Sequence, residues 1–213
     1  MRYQPLFDCE GCNQVNVTPT IGSIHLLKQS PRVVEGGFRL ALSGTPGTGK
    51  STIASLLNGQ GYTIISLESL ANKYDCLGEV DSSDNSKPID LEKLYHLLNI
   101  AWSKESEYPI IVDGHLSHQL PCDATVILRC QPDILQTRLE NRDYTKEKIQ
   151  GNVEWELIGG PWNDKDTSDG WLELDTTEHN PNEILEYILK WIQDGFKPTT
   201  EDTEIDWIGI MEE

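Results

Sequence analysis

The sequence predicts an α/β protein, a parallel sheet flanked by helices, and three observations predict it. From Phe38 onward short apolar runs alternate with helical stretches, the order that builds parallel sheets. A glycine-rich segment, Gly44-Thr45-Pro46-Gly47-Thr48-Gly49-Lys50-Ser51-Thr52, stands between the first apolar run and the first helical one. A carboxylate, Asp113, ends the later apolar run PIIVD.

Residues 1–36 carry three basic and three acidic groups without clear periodicity and read as an N-terminal extension. Cys9, Cys12 and His25 could supply three ligands there, one short of a structural zinc site. The strands are predicted at Phe38 to Ser43, Tyr62 to Ser66, Pro109 to Asp113, Ala124 to Arg129 and Trp171 to Asp175. A helix opens over Lys50 to Leu57, and others are predicted at Leu91 to Trp102, Pro132 to Asn141, Thr145 to Leu157 and Asn182 to Gln193. Turn-forming and acidic residues make Asp75 to Ile89 a surface loop or small lid, and Gly159 to Gly170 is a second such loop. From Phe196 the tail holds six acidic residues and one lysine, a net charge of −5, and is expected to be solvated. Ile205, Trp207, Ile208 and Ile210 within it suit docking on a basic or apolar groove.

A chain of 213 residues accommodates one domain of ordinary size plus extensions. No apolar run approaches the length of a membrane span, and the start lacks a hydrophobic signal core, so a cytoplasmic protein without membrane contact is expected. Five scattered cysteines do not resemble a disulfide framework. The net charge of −18 argues against a broad electrostatic grip on nucleic acid and leaves two readings, solubility or a basic protein partner.

The glycine-rich segment satisfies G-x-x-x-x-G-K-S/T between a strand and a helix, a P-loop. Its glycines let successive N–H groups turn inward on the positive end of the helix, which makes nucleotide phosphate the expected ligand. Gly44, Gly47, Thr48, Gly49, Lys50, Ser51 and Thr52 would line it, Lys50 reaching the β/γ-phosphates and Ser51 binding Mg²⁺. Asp113, ending a neighbouring strand, is the carboxylate that would hold the same Mg²⁺ through water. His115, two residues on, could orient a water or stabilise charge; His118 is a weaker candidate. Arg138 and Arg142, four apart on one helical face, offer positive charge for a phosphoryl group in flight, and Arg129 is a further candidate.

These motifs in this order, GTPGTGKST, then DGHLSH, then RLENRDYTKEKIQGNVEWE, resemble the atypical adenylate kinases involved in small ribosomal subunit maturation, archaeal and eukaryotic nuclear types alike. The likeness covers about residues 38–195. It implies a P-loop NTPase fold, a five-stranded parallel sheet with a monophosphate arm at about 66–90 and a short lid at about 141–151. It implies the reaction of ATP with AMP, or another nucleoside monophosphate, to give two diphosphates, with an accompanying ATPase and Mg²⁺ as cofactor. Catalysis then falls to Lys50, Asp113, His115, Arg138 and Arg142, with Arg142 also covering the ATP, and monophosphate binding to the arm positions Ser66, Asn72 and Asp90. The partner would be a basic platform protein of the small ribosomal subunit, and through it the pre-ribosomal particle and late rRNA maturation. Two departures stand out: relatives often carry G-D-L-A-R where this chain has Glu68-Ser69-Leu70-Ala71-Asn72, and Asn180 replaces a lysine near the adenine.

Overall fold

A computed structural model of the chain describes residues 36–80, 87–142, 144–161, 170–198 and 205–211. Cys9, Cys12, His25 and the rest of the N-terminal extension up to residue 35 lie outside the described residues. Strand β1 (Arg39–Gly44) leads through the phosphate loop into helix α1 (Lys50–Gly59), followed by β2 (Thr63–Ser66) and α2 (Leu67–Lys73). Helix α3 (Leu91–Ala101) and β3 (Ile110–Asp113) come next, then a 3₁₀ turn at Ser117–Gln119 and β4 (Ala124–Arg129). Helices α4 (Pro132–Glu140) and α5 (Lys146–Leu157) form a hairpin before β5 (Trp171–Asp175) and α6 (Pro181–Gln193). A last short helix, α7, spans Trp207–Met211.

The sheet runs β2-β3-β1-β4-β5, and every pairing is parallel. All five predicted strands are present with ends within one residue, because runs such as LALS and IIVD carry the apolar continuity of strands covered on both faces. Alternation still divides the faces. Ile111 joins Leu40, Leu42 and Val126 under α1 and α6, whereas Ile110 and Val112 turn to the opposite face with Leu70, Leu94 and Leu98 of α2 and α3. A third, small cluster of Cys130, Leu135 and Leu139 with Tyr144, Ile149 and Val153 closes the α4–α5 hairpin.

From β1 the chain crosses to β2 at one edge, comes back to β3 between the two, and then passes to β4 on the far side of β1, so the connections leaving β1 and β3 run in opposite directions. In open parallel sheets ligands bind beyond the carboxyl ends of strands at such a point. Gly44 and Asp113 end β1 and β3 there. Among the described residues no helix is long and apolar enough to cross a membrane.

Candidate functional site

The phosphate loop is built on residues that only glycine can supply. Gly44 adopts φ 132°, and a Cβ there would meet Leu128 O at 2.2 Å, so its bareness lets β1 close on β4. Gly47, at φ 100°, would bring a Cβ within 2.7 Å of Leu135 Cδ1 on α4. Gly49 caps α1, and no side chain caps that end, which leaves the positive helix terminus for an anion. Ser51 and Thr52 lie exposed on its first turn.

Lys50 folds back so that Nζ donates to Gly44 O (2.6 Å) and Thr45 O (3.0 Å). Burial pulls its pKa from 10.5 to about 8, against the attraction of Asp113 and Glu156 and with the repulsion of Arg142. Asp113 pairs in register with Leu42 and with Ser66. Burial raises its carboxyl above the ordinary value, and Lys50 opposes the rise. The two are thus electrostatic partners across the loop.

His115 Nδ1 lies 2.9 Å from Gly44 O. A carbonyl only accepts, so Nδ1 carries the proton and Nε2 is left as the basic nitrogen. Burial, outweighing the bond to Gly44, lowers the imidazole pKa and keeps the ring neutral at neutral pH. His118 is placed otherwise: it is buried, with Nδ1 2.7 Å from Ser43 Oγ and its ring edge-to-face with Trp171. Ser43 Oγ in turn donates to His115 O (2.6 Å), so Ser43 and His118 fasten the loop that presents His115.

The three arginines separate. Arg138 donates to Thr176 Oγ1 (3.2 Å), Thr176 O (2.7 Å) and Thr177 O (3.0 Å), while Thr176 Oγ1 donates onward to Thr48 O (2.9 Å). It therefore ties the segment after β5 to the phosphate loop. Arg142 is exposed at the end of α4, and both arginines line one cavity of about 310 Å³ with Gly47 to Gly49 and Thr52. Arg129 departs from the sequence expectation: it is fully buried, paired with Glu156 (2.8 Å) and Glu173 (3.0 Å), and does not line that cavity.

The far wall of that cavity was missed by sequence reasoning. Thr176, His179, Pro181 and Ile184 complete it. Their signal was available, since DTTEHNP follows a strand whose carboxyl end must face the loop. Asn180, beside them, caps α6 through a capping box with Glu183.

On the arm, Ser66 caps α2 by accepting from Ser69 N (3.1 Å), and Asp90 caps α3 by accepting from Lys93 N (3.0 Å). Asn72 is exposed. Lys73 sits over the Tyr74 ring, 5.5 Å from its centroid, and Lys93 Nζ donates to Asp75 O (2.6 Å). Leu77 and Ile89 bridge the base of the loop whose residues 81–86 lie outside the described ones.

Among the described residues there is no cluster of three or more His, Cys, Asp or Glu able to hold a metal outright. One hydroxyl, Ser51, and one carboxylate, Asp113, are instead a hard-oxygen pair of the kind that binds Mg²⁺ together with phosphates and water. The donor chemistry fits that ion.

Comparison with known proteins agrees with the geometry. An AAA domain family profile matches residues 40–159. A Pyrococcus abyssi protein named "Putative adenylate kinase" is 36% identical over 176 residues, covering 82% of this chain and 93% of its own. An Archaeoglobus fulgidus protein of the same name is 33% identical over 181 residues, covering 82% and 94%. The fold is also that of shikimate kinase from Acinetobacter baumannii, with a TM-score of 0.51, 15% identity, and 76% and 96% of the two chains covered. With the phosphate loop, Asp113 and the α4–α5 hairpin all inside the matched stretch, the chain belongs to the family of these archaeal adenylate-kinase-named proteins.

Proposed function

We propose that the chain is a nucleoside-monophosphate kinase that transfers the γ-phosphoryl group of ATP to AMP, giving two ADP, and that it also hydrolyses ATP. The observation that carries this reading is the convergence of Lys50, Asp113 and His115 on the phosphate loop beside a cavity lined by Arg138 and Arg142. In it residues 37–195 form the kinase domain, 66–90 the monophosphate arm and 141–151 the lid, with residues 1–36 an extension.

In transfer the bond from the γ-phosphorus to the ADP bridging oxygen breaks, and one forms to an AMP phosphate oxygen. Catalysis of this step is mostly placement and charge. The loop amides and Lys50 hold the β/γ-phosphates; Nζ exchanges its bonds to the Gly44 and Thr45 carbonyls for phosphate oxygens. Arg142, exposed at the cavity, closes over the triphosphate, while Arg138 keeps the Thr176–Thr177 segment against the loop. Mg²⁺ held by Ser51 and, through water, Asp113 would offset phosphate charge. For hydrolysis, neutral His115 offers Nε2 to orient a water. Coupled assay of ADP formation from ATP and AMP should show turnover that Lys50→Ala removes; equal turnover in that variant sinks the proposal.

A second reading, an ATPase that acts in small ribosomal subunit assembly by binding a basic platform protein, is favoured by the arm. Asn72 offers no charge, and Lys73 and Lys93 are engaged with Tyr74 and Asp75, which leaves monophosphate grip weak. The charge of −18 suits a basic partner. ATP turnover indifferent to AMP, with salt-sensitive capture of that partner, would favour it.

A further inference from the structure

The nucleotide cavity does not include Glu156, yet the phosphate loop is tied to it. The carboxylate is fully buried: Oε2 accepts from Thr45 Oγ1 (2.5 Å), and Oε1 accepts from Arg129 Nε (2.8 Å), Cys130 N (3.1 Å) and Trp207 Nε1 (3.0 Å). Thr45 sits inside the loop, where its carbonyl accepts from Lys50 Nζ and Thr48 Oγ1. The last of the Oε1 donors comes from far along the chain. Trp207 opens α7, is 4% exposed, and lays its ring 5.9 Å from the Arg129 guanidinium. Two residues earlier, Ile205 O accepts from Arg129 NH1 (3.2 Å). The C-terminal segment thus covers a buried group of one cation and two carboxylates, Arg129, Glu156 and Glu173.

A buried carboxylate points where its donors direct it. With Oε1 saturated by three donors, Oε2 is aimed at Thr45, and Thr45 fixes the carbonyl that receives Lys50. Removing the indole would admit water to Oε1, turn the carboxylate, and free the loop. We propose that Glu156 is a positioning residue for the phosphate loop and that Trp207 of the C-terminal segment locks it in place, making ATP affinity depend on a side chain outside the nucleotide-binding core.

The inference rests on the reading of that loop as an ATP cradle. It is tested on the full chain by calorimetric binding of Mg²⁺-ATP together with KM values for ATP and AMP. Trp207→Ala and Thr45→Val should each raise the ATP Kd and KM about tenfold, the size of one lost hydrogen bond to a charged group, with the KM for AMP within about twofold. The double variant should be no worse than the poorer single one, since both act through Glu156. Trp207→Phe, which keeps a ring over Arg129, should reproduce the ATP defect with a near-unchanged melting temperature. An ATP Kd within about twofold of wild type in folded Trp207→Phe and Trp207→Ala overturns the proposal. So does a parallel loss of affinity for both substrates that tracks melting temperature, the mark of a merely structural role. Wild-type protein that binds ATP but makes no ADP from AMP refutes the kinase reading alone and leaves this inference standing; wild-type protein that binds no ATP overturns both.

Discussion

Lys50 is held charged at a cost to the unliganded protein. Its pKa falls from 10.5 to about 8 through burial, so relative to the unfolded chain the folded state loses stability as pH drops from 10.5 toward 8 and regains none below. At neutral pH the penalty is on the order of 3 kcal/mol, and in the proposed reading ATP phosphates would remove it. Lys50→Met should lose ATP binding, and its melting temperature without nucleotide should lack the rise between about pH 8 and 10.5 that this lysine gives wild type, which differential scanning calorimetry checks. The same group sets a pH dependence. ATP affinity should be flat below about pH 8 and weaken above it by up to about tenfold per pH unit as the free lysine deprotonates; titration calorimetry across that range reads it. His115 acts in the other direction. Its lowered pKa keeps Nε2 free at neutral pH, so ATP hydrolysis should fall on the acid side only below the ordinary imidazole range. His115→Ala should lower hydrolysis without AMP about 10²-fold, the usual contribution of one positioned acid–base group, and spare ATP binding.

At the scale of elements, the loop after β5 and the end of α4 form one wall of the cavity through Arg138. Removing that fork frees Thr176 and Thr177 from α4, so Arg138→Ala should raise the KM for ATP about tenfold or more, chiefly through misplacement. Arg142→Ala should instead lower kcat, because this residue is exposed and lines the cavity. The strands were legible because buried parallel strands are short, continuous apolar runs. Helix α2 was not foreseen: LESLANK is seven residues, too short to show a period, and is held by the Ser66 cap and by burial of Leu67, Leu70 and Ala71. Helix α7 was missed for a related reason. Five residues in an acidic tail carry no periodicity, and docking depends on a buried arginine that sequence could not place under Trp207.

For the whole molecule, the strand–glycine loop–helix order and the place of Asp113 and His115 at the end of a strand were legible, because G-x-x-x-x-G-K-S/T is a fixed spacing and a continuous apolar run marks where a buried strand stops. Arg129 and Glu156 were not. An arginine ending a strand near phosphates looks like a catalytic cation until the fold buries it between two glutamates. The glutamate stood in plain view at the end of the α4–α5 motif, but only three-dimensional proximity links it to Thr45. In the proposed kinase the monophosphate side is the chemically weakest part, since Asn72 lacks the fork that grips a phosphate. ATP turnover measured with and without AMP therefore tests the proposed phosphoryl transfer most directly. With AMP present, ADP should form at a rate well above hydrolysis alone, one AMP being consumed for each ATP spent beyond that hydrolysis; turnover unaffected by AMP would contradict phosphoryl transfer to AMP.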